Sequence, residues 1–185
     1  MIGWTQILVT LRNADPTALT AEGALRDSLG FGDRLARVER RILWELGGPE
    51  TGEIEPVLLA LRRSGELWNP NKEAAAIRRS GEEAALRPPV PGEAAPLWTL
   101  AWDPDRDLAR TPLALRPHAP HGWRLARGVL WGLSWRKGSP DEQSAWTEEA
   151  VLCAGPRRGL LVHPHLEEHR RIRPDDPAPW LPVEE

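Results

Sequence analysis

The sequence is short of several residue types that often indicate a function or a compartment. Its 185 residues include one cysteine, one phenylalanine and no tyrosine, and lysine occurs only as Lys72 and Lys137. The single cysteine, Cys153, excludes an internal disulfide, so we expect a reducing compartment and a cytoplasmic protein. We interpret Cys153 as a small buried apolar side chain and not as a reactive thiol.

Long apolar runs and a strong excess of charge are also missing. No stretch approaches the roughly 20 apolar residues that a membrane-spanning helix needs, and the first residues do not have the pattern of a signal peptide. A formal net charge of −3 gives no electrostatic reason to bind nucleic acid or acidic membranes. We therefore expect neither nucleic acid nor a membrane as a partner.

The residues that are present are typical of a soluble protein with a packed core. Hydrophobic residues make up 41% of the chain and charged residues 28%, which is ordinary for a globular domain. Ten tryptophans supply the bulky apolar area that Phe and Tyr usually give. We assign most of them to the core. Trp68, next to Asn69-Pro70, is a candidate interface anchor, because tryptophan is enriched in binding hot spots.

Periodicity in the first half of the chain predicts the order β-α-β-β-α-β. Strands are predicted at residues 4–11, 35–38 and 42–46, with a weaker final element through Ile77. Helices are predicted from Thr17 to a stop at Gly30 and from Ile54 to Arg63 with a stop at Gly65. Asp15 is placed to cap the first helix, with Pro16 at its first position. The two middle strands flank a basic turn or form one bent strand, and Gly47-Gly48-Pro49 predicts a break.

The second half contains similar elements after a Pro-rich linker at residues 87–96. We predict a strand at 97–102, a short helical stretch at 108–115, a loop at 117–122, a strand or hairpin at 129–135 and a helix at 142–153. After Arg173 the chain becomes Pro-rich and acidic. We expect this tail to be loosely attached, with Trp180 as the residue that docks it on the body.

The second half repeats the first in collinear order. The matched positions are Trp4-Thr5 with Trp98-Thr99, Arg34–Arg37 with Arg124–Arg127, Trp44 and Gly47 with Trp135 and Gly138, Gly65, Leu67 and Pro70 with Gly159, Leu161 and Pro164, and Glu73 with Glu167. We divide the chain into a first repeat at 1–86, the linker at 87–96, a diverged second repeat at 97–173 and a tail at 174–185. Pairing two halves within one chain would cover sheet faces that neither half can bury alone.

The first half resembles PurS, the small subunit of phosphoribosylformylglycinamidine synthase in purine biosynthesis. The likeness covers residues 4–77 and is carried by Asp15-Pro16 after the first strand, Glu22–Leu25 in the first helix, Trp44–Leu46 in the strand pair, Leu67–Pro70 and Glu73. Arg40-Arg41 stands where the family usually has Gly-Lys. The second half carries His163-Pro164 in place of Asn69-Pro70.

This resemblance implies an α+β protein of two PurS-like β-α-β-β-α-β repeats related by a pseudo-twofold, with antiparallel sheets covered by helices. It implies a non-catalytic accessory subunit that bridges the synthetase and glutaminase subunits of an ATP-dependent amidoligase complex. No cofactor is expected. The chain would be a pseudo-dimer by itself, and a further homodimer stays open. The interface candidates are Arg40, Arg41, Trp68, Asn69, Pro70, Glu73, His163 and Pro164.

Two alternatives stay open. One is a stand-alone small-molecule-binding or protein-interaction module on the same duplicated scaffold. The other is a metal site formed by His163, His165 and His169, because an i, i+4 pair on a helix can bind zinc. Pro164 interrupts that geometry, so we favour solvated histidines. The sequence has no phosphate-binding glycine loop or nucleophile elbow that would favour another enzyme class.

Overall fold

The computed structural model describes residues 2–49, 54–79, 81–82, 86, 95–104, 124–155 and 159–181. Within these ranges the protein is α+β, as predicted, with three helices and a six-stranded antiparallel sheet. The strands are β1 (Ile2–Leu11), β2 (Leu35–Pro49), β3 (Glu73–Arg79), β4 (Leu97–Trp102), β5 (Arg124–Trp135) and β6 (Glu168–Ile172), and the helices are α1 (Pro16–Asp27), α2 (Ile54–Ser64) and α3 (Pro140–Val151). None of these helices combines the length and apolar character that crossing a membrane requires.

The six strands form one continuous sheet in the order β3-β1-β2-β5-β4-β6. Each neighbouring pair is antiparallel. The central strands β2 and β5 pair from Leu35↔Trp135 to Gly47↔Arg124. In both halves the second strand along the chain is central, the first is next to it and the third is at the edge. The two halves therefore share one sheet, whereas the sequence had suggested separate sheets.

β2 is a single continuous strand, so the predicted pair of strands around a basic turn is wrong. The alternative of one bent strand is correct, with a register irregularity between Leu35 and Arg37. The predicted break at residues 47–49 lies inside the strand, where Gly48 pairs with Gly3. β5 pairs with β2 through residues 39–41, and a turn there would lose these main-chain hydrogen bonds. β1 pairs with residues 42–49 from the other side. The first half therefore reads β-α-β-α-β.

The predicted cap of α1 is confirmed. Asp15 Oδ1 accepts hydrogen bonds from the main-chain N–H groups of Thr17 (2.8 Å) and Ala18 (3.3 Å), and Pro16 begins the helix. These bonds satisfy donors that a helix start leaves unpaired. The chain leaves the helix through Gly30, whose φ of 76° is a left-handed conformation that favours glycine.

The second half follows the prediction with shifted boundaries. β4 has the predicted bounds, whereas β5 begins at Arg124 instead of residue 129. α3 starts at Pro140 because Ser139 and Glu142 form a capping box before it. Cys153 is half-buried, more exposed than expected. The predicted helix at 108–115, the loop at 117–122 and residues 87–94 of the linker lie outside the described residues.

The helices pack on one side of the sheet, called here the helix face. Leu25 of α1, Val57 of α2 and Ala150 of α3 belong to apolar clusters on this side. The strand residues in these clusters alternate along each strand, so their neighbours point to the opposite face. The opposite face has its own apolar cluster, consisting of Leu8, Leu43, Leu86, Trp98, Leu100, Leu130, Ile172, Trp180 and Leu181. Both faces of the sheet are therefore used for packing.

Residues 173–181, called here the C-terminal segment, cover part of the opposite face. Trp180 has 0% of its surface exposed, so its predicted docking on the body is confirmed.

Two tryptophans on this face lie flat on glycines of the neighbouring strand, Trp4 over Gly47 and Trp98 over Gly132. A Cβ at Gly47 would lie 2.6 Å from the Trp4 ring, and one at Gly132 would lie 2.8 Å from the Trp98 ring. These glycines leave the space that the indoles occupy.

Gly132→Ala tests this packing against a matched substitution in α1. We expect it to lower the free energy of unfolding by about 1–3 kcal/mol, because the buried Trp98 ring must move. Gly23→Ala is expected to raise it by about 0.5–1 kcal/mol, since a Cβ there meets no atom within 4 Å and alanine favours a helix. Urea unfolding of both variants makes the measurement. Equal effects of the two substitutions would contradict the close contact at Trp98.

Candidate functional site

The structure places Arg40 and Arg41 on opposite faces of the sheet, because successive strand side chains alternate. Arg40 lies on the helix face, 3.3 Å from the carboxylate of Asp15 and 5.8 Å from the centre of the Trp131 ring. Arg41 lies on the opposite face, 8% exposed, with its guanidinium 4.8 Å from the centre of the Trp98 ring. The two arginines therefore do not form one basic patch, and their role in an interface stays a prediction.

Trp68 lies in the core under α2, with 5% of its surface exposed. It also lines a groove of about 400 Å³ between α2 and the edge strand β3. Leu59 and Ile77, 48% and 44% exposed, add apolar surface to this groove. The ion pair of Arg79 with Glu55 lies at its rim. Trp68 is thus a core residue that also borders this groove, and its role as an interface anchor stays a prediction.

The candidates Asn69, Pro70 and Glu73 form a compact turn before β3. Glu73 Oε2 accepts from the main-chain N–H of Asn69 (2.6 Å), and Asn69 Oδ1 accepts from the N–H of Asn71 (3.0 Å). The carbonyl of Asn69 accepts from the N–H groups of Lys72 (3.0 Å) and Glu73 (2.8 Å). Such side-chain bonds to nearby main chain are what Asn contributes to turns.

The candidates His163 and Pro164 begin a second turn with the same bonds. Glu167 Oε2 accepts from the N–H of His163 (2.9 Å), and His163 Nδ1 accepts from the N–H of His165 (3.3 Å). The carbonyl of His163 accepts from the N–H groups of Leu166 (3.1 Å) and Glu167 (2.8 Å). The imidazole therefore does at position 163 what the Asn amide does at position 69.

The three histidines do not share a helical face. His163 and His165 lie in the turn, with ring centroids 5.8 Å apart, and His169 lies in β6. His165 and His169 therefore lack the i, i+4 helical arrangement that the zinc alternative needs, because His165 lies in the turn and His169 in the strand. In the described part of the chain, no three His, Cys, Asp or Glu side chains come together as a metal site would require.

The sequence reading missed a buried row of polar side chains on the opposite face. Arg78, Gln6 and Glu45 lie side by side on β3, β1 and β2, at 5%, 0% and 0% exposure. Arg78 Nη1 donates to Gln6 Oε1 (2.8 Å), and Gln6 Nε2 donates to Glu45 Oε1. In the sequence, the only sign of this row is that each strand carries a polar residue among apolar ones. Nothing in the sequence links them.

This row holds the C-terminal segment. The carboxylate of Glu45 accepts from the main-chain N–H groups of Trp180 (2.6 Å) and Leu181 (2.8 Å). Burial raises the pKa of Glu45 above its ordinary value of 4.5, although the bonds from Trp180, Gln6 and Leu181 and the charge of Arg170 act in the opposite direction. A buried carboxylate with main-chain donors can bind the backbone of an extended peptide.

No protein-family model matches this sequence, and no solved structure matches it. Among curated proteins, the uncharacterized human protein FLJ13197 is 35% identical over 119 residues, which is 61% of this chain and 84% of the human protein. The chain belongs to the same family as FLJ13197. The name of the human protein states no activity, so membership of this family brings no function to the chain.

Glu45→Gln tests the pKa of the buried carboxyl. Because the folded pKa exceeds the unfolded one, the folded state binds more protons between them, and stability falls as pH rises through that window. The wild-type free energy of unfolding, taken relative to Glu45→Gln, should therefore fall as pH rises from about 4.5 to the folded pKa. Urea unfolding at a series of pH values measures this difference. A difference that rises with pH, or does not vary, would contradict the assignment.

Substitutions at His163 test its role in the turn. His163→Ala removes the acceptor for the His165 N–H and should cost about 0.5–1.5 kcal/mol of stability. His163→Asn restores the acceptor found at position 69 and should cost only a few tenths of a kcal/mol. Thermal or urea unfolding compares the two variants. If Asn and Ala are equally destabilising at this position, the imidazole does not act as the turn acceptor.

Proposed function

We propose that this protein is a non-catalytic accessory subunit of phosphoribosylformylglycinamidine synthase, in which two PurS-like halves of one chain bridge the synthetase and glutaminase subunits. The likeness of residues 4–77 to PurS suggested this function. Family members of that type pair two small α+β units. A single chain that carries both units would act as a covalent pair.

The matched turns at 69–73 and 163–167 carry the proposal. Each turn uses the same four hydrogen bonds between equivalent positions, including a glutamate that accepts from the first N–H. Each comes shortly before the third strand of its half, β3 or β6. One internal pattern built with Asn in one half and His in the other is expected if two copies diverged while keeping their fold.

The sheet supports the same interpretation. Both halves have the same strand order, and they meet through the antiparallel pair β2–β5. A twofold axis requires such an arrangement, because each half then presents the same strand to the other. β2 and β5 thus replace an interface between separate chains.

The strand register changes the sequence match along β2 and β5. Trp44 pairs with Ile7, and Val129 pairs with Ala101, so Val129 and not Trp135 is the counterpart of Trp44. The pairs Trp4↔Gly47 and Trp98↔Gly132 join the first and second strands of each half. Gly132 is therefore the counterpart of Gly47 by register. Gly138, matched from sequence, lies after β5 at a φ of 97°. The sequence match therefore placed the counterpart of Gly47 a few residues too far along the chain.

The two matched turns present different surfaces, which suits a bridge between unlike partners. The fourth residue is exposed Lys72 in the first turn and Leu166, 65% exposed, in the second. Internal bonds are thus shared, while the exposed side chain is cationic in one half and apolar in the other. A cationic and an apolar surface would favour different partners.

A protein-interaction module independent of the synthase is the second candidate. The groove between α2 and β3 favours it, since it combines a volume of about 400 Å³ with exposed Leu59 and Ile77. Exposed apolar surface of this kind often marks contacts with other proteins. This candidate predicts a partner that binds without any purine-synthesis subunit.

Reconstitution tests the main proposal. The protein is mixed with the synthetase and glutaminase subunits of the same organism, with ATP and the formylglycinamide ribonucleotide substrate. We expect a complex on size-exclusion chromatography. Glutamine-dependent amidation should require this protein, whereas ammonia-dependent amidation should not, since ammonia then needs no delivery. Absence of a complex under these conditions would overturn the proposal.

Matched surface variants locate the contact. Leu166→Lys gives the second turn the charge of the first and should weaken the complex by about tenfold or more if the turn is part of the interface. Leu19→Lys, at a 57% exposed position of α1, is the control and should leave the complex unchanged. If the two variants behave alike, the second turn is not part of the interface.

A further inference from the structure

We infer that the sheet face opposite the helices is a binding site for a Trp-Leu peptide segment, filled in cis by residues 176–181 and able to take the same segment in trans. This site does not depend on the proposed function. It is built from side chains of both halves of the chain, and its occupant is a terminal stretch that adds no strand to the sheet.

Glu45 provides the main-chain recognition. Its side chain is fully buried, and both carboxylate oxygens accept from consecutive N–H groups, Oε1 from Trp180 (2.6 Å) and Oε2 from Leu181 (2.8 Å). If the segment left, Gln6 would be the one remaining donor among the bonds described for this carboxylate. A buried charge with unfilled acceptors is costly. The site therefore favours a bound peptide backbone.

Arg78 provides the aromatic selectivity. Its guanidinium lies 5.1 Å from the centre of the Trp180 ring, and Nη2 donates to the carbonyl of Asp176 (2.8 Å). The indole N–H of Trp180 donates to that same carbonyl (3.0 Å). Among aromatic side chains, tryptophan gives the strongest cation–π contacts. A tryptophan four residues after the carbonyl that Arg78 binds therefore fits this site.

Gly128 and Arg170 complete the site from the second half. A Cβ at Gly128 would lie 3.2 Å from Leu181 Cδ2 and 2.7 Å from Leu100 Cδ1, so the glycine leaves room for the leucine. Arg170 Nη2 donates to the carbonyl of Pro179 (3.4 Å). The segment is thus held by Arg78 of β3 and Glu45 of β2 on one side and by Gly128 of β5 and Arg170 of β6 on the other.

The way the segment is attached suggests that it can leave without unfolding the sheet. It is bound by side chains, whereas the strands are joined to one another by main-chain ladders. Residues 173–175, which connect it to β6, are exposed. A segment held only in this way opens at lower cost than the ladders beneath it. A peptide of the same sequence could then occupy the vacated face.

A nicking experiment on the full chain tests exchange. A protease site is inserted between exposed Pro174 and Asp175, the folded protein is cleaved, and a fluorescent peptide of residues 175–185 is added. We expect binding, seen as a rise in anisotropy, to the nicked protein and at least about tenfold weaker binding to the uncut protein, where the cis segment competes. Equal binding to both forms, or none to the nicked form, would overturn the inference.

Matched peptides test the specificity of the site. Trp180→Ala in the peptide should weaken binding by about tenfold or more, whereas Pro177→Ala, at an exposed position, should leave it within about twofold. Glu45→Gln in the nicked protein should also weaken binding, since one acceptor oxygen is replaced by a donor. Equal affinity of the two peptides would show that the contact is not the one described.

Hydrogen exchange on the uncut chain gives a second, independent measurement. The N–H groups of Trp180 and Leu181 should exchange through a local opening, faster than those of Leu8 and Leu43 in the central ladders. If they exchange only with global unfolding, the segment is an integral part of the fold and the inference fails. Loss of the fold after nicking, seen by circular dichroism, would have the same meaning.

Discussion

The antiparallel pairing of β2 with β5 is the interaction on which the rest of the structure depends. It runs from Leu35↔Trp135 to Gly47↔Arg124 and joins two three-stranded units into one sheet. Without it, each unit would expose a long edge strand with unpaired main-chain groups, which is a site for aggregation. With it, the exposed edges are the shorter strands β3 and β6, which carry Arg78, Arg79, Arg170 and Arg171.

A second constraint follows from this continuous sheet, since both of its faces need cover. The helices cover one face, and the C-terminal segment covers part of the other. The second face is not purely apolar, because the row Arg78–Gln6–Glu45 crosses three strands. Removing such groups from water is costly. Their mutual hydrogen bonds and the main-chain donors of Trp180 and Leu181 offset that cost.

The two halves keep the same internal bonds while their surfaces differ. The turns at 69–73 and 163–167 use one hydrogen-bonding scheme, yet Lys72 is exposed in the first and Leu166 in the second. The Trp–Gly contacts in β1–β2 and β4–β5 repeat in the same way. Similar internal hydrogen bonds are thus combined with exposed side chains of different character, a cation in one turn and an apolar group in the other.

The sequence by itself determined what depends on a few neighbouring residues. Caps, glycine stops and apolar periodicity were enough to place α1, α2 and β4 and to mark Trp180 as a docking residue. Tertiary structure decided the rest. β2 is one strand because β5 pairs with it from residue 35 to residue 47, and the alternation along this strand sends Arg40 and Arg41 to opposite faces. The role of Glu45 depends on Trp180 and Leu181, 135 and 136 positions away. No local pattern encodes a contact over that distance, because only the folded sheet brings those residues together.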